Sequence, residues 1–154
     1  FPGGYLDHVV HVAETSMKVA TAYKAIGGDI DFTKQEMIFA ALHHDLGKLG
    51  SEAGAYYLDQ DSDWHRKRGE LYTYNGNIQY MTVTDRALYL LQKYGVEVTE
   101  KEWIAIKLSD GMYDDSNAAY LKNHSVYPMK TNLPYVIHWA DHMACSAERD
   151  QMKF

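Results

Sequence analysis

A histidine and an aspartate stand side by side where an apolar helical run ends. Met37, Ile38, Ala40, Ala41 and Leu42 lead into His43-His44-Asp45-Leu46-Gly47-Lys48. Burying unpaired polar groups at a helix end is costly, and a bound cation would offset that cost. Asp45 can offer a carboxylate oxygen and His44 a neutral ring nitrogen, donors that suit Mn, Fe, Co, Ni or Mg. Two other runs carry matching donors. His8 stands in the first turn of the first helical run, and Asp141 is embedded in the apolar run Ile137-His138-Trp139-Ala140-Asp141-His142-Met143-Ala144. A carboxylate in such a helix is a rare core residue unless it is paired or coordinated. Plainer readings stand beside this one. His8 could be a surface residue, His44-Asp45 a C-terminal cap, and Asp141 half of an ion pair with Arg149 or a lysine.

These donors need helices to carry them. Apolar residues recur at helical spacing from Leu6 to Ile26, and Gly27-Gly28 stops the run. Thr33-Lys34-Gln35-Glu36 and Thr99-Glu100-Lys101-Glu102 are capping boxes that open helices ending near Gly47 and Gly111. Thr84 to Tyr94 puts Ala87, Leu88, Leu90 and Leu91 on one face, and Tyr135 to about Arg149 forms a last helix. Between residues 49 and 81 the pattern is loop-like, with a short helical piece near Trp64 to Leu71. Tyr72 to Tyr80 alternates around Asn75-Gly76, which predicts a hairpin. Its tyrosines Tyr72, Tyr74 and Tyr80 could stack on a base or pack on the bundle. Residues 112 to 132 read as irregular. The expectation is a single all-α domain over residues 1–154, a bundle of five to six helices with a small β-hairpin insert.

Gly3-Gly4-Tyr5-Leu6-Asp7-His8, then His44-Asp45-Leu46-Gly47-Lys48, then His138-Trp139-Ala140-Asp141 resemble the ordered H…HD…D signature of the HD-domain superfamily of metal-dependent phosphohydrolases. The resemblance spans nearly the whole chain. It implies an α-helical bundle, a divalent-metal site, and hydrolysis of phosphoester or phosphoanhydride bonds, usually in nucleotides or nucleic acid. By the same resemblance His8, His44, Asp45 and Asp141 are metal ligands, with Asp45 bridging where two ions are present. Lys48 matches a basic residue near substrate phosphate, where an ammonium can neutralise transition-state charge. Asp45 and Lys48 are thus the expected catalytic residues. The metal would polarise the phosphoryl oxygen and lower the pKa of a bound water.

The chain departs from the two-metal form of that family, since Lys107-Leu108-Ser109-Asp110-Gly111 stands where a histidine is expected. One ion is favoured. A second ion on His65 and Asp110 is conceivable, and otherwise both residues line the substrate pocket. Arg66-Lys67-Arg68 is a basic run in an acidic chain, so Arg66, Arg68 and Arg86 are candidates for phosphate contact, against a solvated face as the alternative. His11 lies one turn past His8 on the same face. His43, His138 and His142 read as packing or supporting groups, and His124 as solvated. Two other functions compete with the hydrolase: a di-iron oxygenase on a similar scaffold, and a nucleotide-binding module without turnover.

Composition limits the partners. With 154 residues the chain can bury roughly 70% of its unfolded surface. A net charge of −6 argues against an extended nucleic-acid-binding surface, so of the substrates that the resemblance implies a small phosphate compound such as a nucleotide is expected. No stretch approaches the roughly 20 apolar residues of a membrane span, and no secretory signal is visible in a chain that opens at Phe1. The single cysteine, Cys145, excludes an internal disulfide and a Cys-rich zinc site. It reads as a small buried apolar residue, and the lack of cysteine pairs fits a reducing cytoplasm. Oligomeric state is not encoded in any of these features.

Overall fold

Helix ends in this chain are fixed by local chemistry, and the computed structural model, which describes residues 4–122 and 128–151, shows how. The first helix, α1 (Gly4–Ala25), stops where Gly27 takes φ +95° and Gly28 N–H returns to the Tyr23 carbonyl at 2.9 Å. That closure satisfies carbonyls the helix leaves open. Helix α2 (Lys34–His43) starts on Thr33, whose hydroxyl accepts from Glu36 N–H while the Glu36 carboxylate accepts from Thr33 N–H. A 3-10 turn, Leu46–Leu49, follows after the two turn residues His44 and Asp45. Helix α5 (Glu100–Lys107) repeats the capping box on Thr99 and Glu102. The two boxes are tied together, since Thr99 Oγ1 donates to Glu36 at 3.2 Å.

Among the described residues the remaining elements are β1 (Tyr57–Asp59), α3 (Asp63–Lys67), β2 (Tyr72–Tyr74), α4 (Val83–Lys93), two 3-10 turns (Gly111–Tyr113 and Asp115–Asn117), α6 (Ala118–Leu121) and α7 (Leu133–Gln151). The mostly helical architecture is as expected, but the described residues form seven α-helices where five to six were expected, and the two strands are arranged differently. β2 pairs antiparallel with β1, matching Tyr57 with Tyr74 and Asp59 with Tyr72. Asn75-Gly76 therefore does not close a hairpin on Tyr80. Asn75 is buried, its amide donates to Ala55 O at 2.8 Å, and its Oδ1 accepts from Asn77 N–H at 3.0 Å. The side chain uses its hydrogen-bonding capacity on the backbone and turns the chain toward Thr82, the N-cap of α4. No helix among the described residues is long and apolar enough to cross a membrane.

The core draws Val12 from α1, Ala40 and Ala41 from α2, Ile106 from α5, and Ile137 and Ala140 from α7, all fully buried. The alanines matter for the site. Ala41 lies one turn before His44, and Ala140 precedes Asp141. Small side chains let helices pack at the close end of the usual 8–10 Å spacing, so polar groups on neighbouring helices can touch. Helix α1 packs most extensively on α7, which sets His8 opposite Asp141. The 3-10 turn lies on the start of α4, where a Cβ on Gly47 would fall 2.0 Å from the Val83 carbonyl oxygen.

Candidate metal centre

Four side chains from α1, α7 and the corner after α2 converge. His8 Nε2 lies 3.2 Å from Asp141 Oδ1 and 3.6 Å from Asp45 Oδ2. His44 Nε2 lies 3.6 Å from Asp141 Oδ1 and 3.7 Å from Asp45 Oδ2. For a first-row ion with bonds near 2.1 Å, neighbouring donors sit roughly 3.0–3.5 Å apart, and two overlapping groups offer donor atoms within 4.8 Å of one another: His8, His44 and Asp45, and His8, Asp141 and Cys145. The two imidazole atoms make the stronger point. Both Nε2 atoms are buried and neither has a hydrogen-bond partner; three of the four carboxylate approaches, at 3.6–3.7 Å, are longer than a hydrogen bond. Orphaned buried polar atoms are rare and call for an explanation.

The opposite ring nitrogens explain how those Nε2 atoms are aimed. His44 Nδ1–H donates to the Ala41 carbonyl at 2.8 Å, which leaves the lone pair on Nε2 in the neutral ring. His8 Nδ1–H points at Glu148, 3.1 Å from both carboxylate oxygens. Such a carboxylate behind a histidine fixes the ring's orientation and raises its basicity toward a metal. Glu148 also takes His11 Nδ1 at 2.8 Å. Sequence reasoning missed Glu148, although it follows Asp141 by two helical turns on one face of α7.

Electrostatically the corner calls for positive charge. Asp141, helped by Glu148, pushes the His8 ring above its usual pKa against the opposing effect of burial. Burial works against charging His44, yet Asp141 and Asp45 outweigh it and hold that ring up as well. Burial alone would raise Asp141, but His44 and His8 hold its carboxyl far below the ordinary range. Lys48 supplies one positive charge, with its ammonium 2.5 Å from Asp45 Oδ2, the same oxygen that faces the imidazoles.

Around these donors the expected residues separate into those drawn in and those left out. Asp110 is drawn in: burial first, then the like charges of Asp45 and Asp141, push its carboxyl above the usual range. Cys145 departs from its expected role as a buried apolar residue. It is half-buried, and its thiol donates to Asp141 Oδ1 at 3.4 Å. Burial and then Asp141 push that thiol up to about 12. Tyr5 was also missed; its hydroxyl is pushed up to about 12 by burial and then by Asp45.

Arg86 is not available as a surface phosphate contact. It is 2% exposed, lies against Gly47, and donates to the Gln79 carbonyl. His65, Arg66 and Arg68 sit on or just past α3, at the end of the ribbon away from the 3-10 turn. His65 approaches Glu70 at 3.9 Å, Arg66 approaches Asp63 at 3.9 Å, and Arg68 covers the Trp64 ring at 4.4 Å. No described contact joins His65 to Asp110, so the pair does not form a second ion site. His43 bonds the Phe39 carbonyl, His138 donates to Ser109 O at 2.7 Å, and His142 stacks on Tyr113. His124 lies outside the described residues.

Comparison of the chain with protein-family models, curated proteins and solved structures finds no match. The reading of this centre therefore rests on its own geometry.

Proposed function

We propose that this chain is a metal-dependent phosphohydrolase of the HD-domain type, acting on a phosphate ester or anhydride of a nucleotide. One observation carries the reading. Two buried imidazole nitrogens without hydrogen bonds each lie 3.2–3.7 Å from carboxylate oxygens of Asp45 and Asp141, brought together from three segments far apart in sequence. Nitrogens held this way, with their opposite ring atoms already bonded to Glu148 and the Ala41 carbonyl, are what a ligand set presents to a cation once its rings are neutral.

In this reading His8, His44, Asp45 and Asp141 hold one divalent ion of the Mn, Fe, Co, Ni or Mg kind. When bound, that ion supplies Lewis acidity toward a phosphoryl oxygen and a water made acidic enough to attack at neutral pH. Glu148 keeps the His8 ring in its ligating orientation. Lys48 is 38% exposed at its side chain, so its ammonium can leave Asp45 for a phosphate oxygen and balance charge that develops there. Asp110 and Tyr5 line the same corner.

The test is Asp45→Ala, assayed for bound metal and for hydrolysis across a nucleotide panel with added Mn, Co, Ni and Mg. Loss of both is expected. Retention of either sinks the assignment, and two bound irons with oxygen uptake would replace it with oxygenase chemistry.

A further inference from the structure

Every residue of β1 and β2 is exposed. Two strands of three residues hold together poorly on their own, so the ribbon's position is set at its root. There the Gly50 backbone, at φ +92°, lies so close to the 54–56 segment that a Cβ would fall 2.3 Å from Gly54 O and 2.6 Å from Tyr56 N. Asn75 ties the other strand in, with its N–H on Tyr56 O at 2.9 Å and its side chain on Ala55 O. Gly50 closes the 3-10 turn that carries Lys48. The root of the ribbon is thus fastened to the turn that holds the ammonium, while the tip leads away into α3.

At that root stands a tyrosine cluster. Tyr57 and Tyr74 are cross-strand partners with ring centroids 5.5 Å apart and planes 32° apart. Tyr56 meets both edge-on, at 4.9 and 5.4 Å. Tyr57 is 40% exposed and Tyr74 68% exposed, so their outer surface faces solvent. Tyr57 directly follows Tyr56, whose backbone N lies against Gly50, so its ring is rooted at the end of the turn that carries Lys48. Aromatic surface rooted beside the Lys48 ammonium and the candidate metal corner matches a ligand with an aromatic ring at one end and a phosphate at the other.

We propose that Tyr57 and Tyr74 form a stacking platform for the base of a nucleotide whose phosphate lies at Lys48 and the metal corner. The proposal rests on the nucleotide reading above and narrows it: the preferred substrate carries a base, and a bare sugar phosphate is a poor one. Base–aromatic stacking tolerates any base, so the platform selects nucleotides as a class.

Calorimetric titration of the Mn-loaded protein with adenosine monophosphate, ribose 5-phosphate and inorganic phosphate tests this without requiring turnover. The unmodified protein should bind adenosine monophosphate about tenfold or more tightly than ribose 5-phosphate, the scale expected for one stacked base. Tyr57→Leu with Tyr74→Leu should remove that difference and leave phosphate binding unchanged, while Tyr57→Phe with Tyr74→Phe should keep it. Equal affinity of the unmodified protein for the two sugar phosphates overturns the platform. So does parallel loss of all three ligands in the Leu variant. Base-dependent binding without any hydrolysis would instead sustain the platform and refute the hydrolase reading.

Discussion

His8 and Glu148 lie 140 positions apart in the chain, yet the His8 Nδ1–H is 3.1 Å from both oxygens of the Glu148 carboxylate. The effect is to hold the opposite nitrogen toward Asp141. Loss of such a supporting carboxylate commonly weakens metal binding by roughly 10–100-fold. Glu148→Gln should do so, read by competition with a chelating dye, with Glu148→Asp recovering part of the loss. Unchanged affinity in Glu148→Gln would remove Glu148 from the metal centre.

The metal-free chain should be more stable on the acid side of neutrality. Carboxylates raise the folded pKa of His8 and His44, so their stabilisation is complete below the ordinary value of roughly 6.5. It is lost as pH rises through the raised folded values. Thermal unfolding with chelator present should therefore show a midpoint that declines from about pH 6 upward. Saturating Mn should reverse the trend, because ligation needs neutral rings. A metal-free midpoint that rises over this interval would contradict the electrostatics of the corner.

Gly47 tests the seat of the 3-10 turn. A methyl there would meet the Val83 carbonyl, a backbone atom that cannot swing aside. Gly47→Ala should cost about 3 kcal/mol, at the upper end for overpacking, and should lower metal affinity because Asp45 moves with the turn. Denaturant unfolding reads the first effect and dye competition the second. A neutral substitution would show that the turn has slack.

Arg86→Leu separates structure from substrate binding. The guanidinium is buried and bonded to Gln79 O, so its removal leaves an acceptor unpaired, at about 1–3 kcal/mol. Stability should drop, while KM, measured well below the unfolding midpoint, should stay unchanged. A rise in KM with intact stability would return Arg86 to the phosphate site.

Much of the helical frame was legible because its signals are local. Thr33 with Glu36 and Thr99 with Glu102 mark helix starts through bonds spanning three residues, and Gly27 marks a stop through its own φ. The convergence of His8, His44, Asp45 and Asp141 was also legible, since polar groups on apolar faces point to one another. What escaped depended on tertiary contact. Asn75-Gly76 has the composition of a hairpin, but the Ala55 carbonyl captured the Asn75 side chain. Arg86 reads as a surface cation until Gly47 settles over it. Glu148 and Cys145 were visible as a helical repeat after Asp141, yet only the α1–α7 contact turns that stripe toward the donors.

The packing of α7 on α1 has a consequence for biosynthesis. A nascent chain presents His8, His44 and Asp45 long before Asp141 and Glu148 leave the ribosome. The proposed ligand set closes only with the last of these helices, so a polypeptide halted upstream of residue 141 carries three of its four members. Ion capture would then discriminate between finished and interrupted translation products.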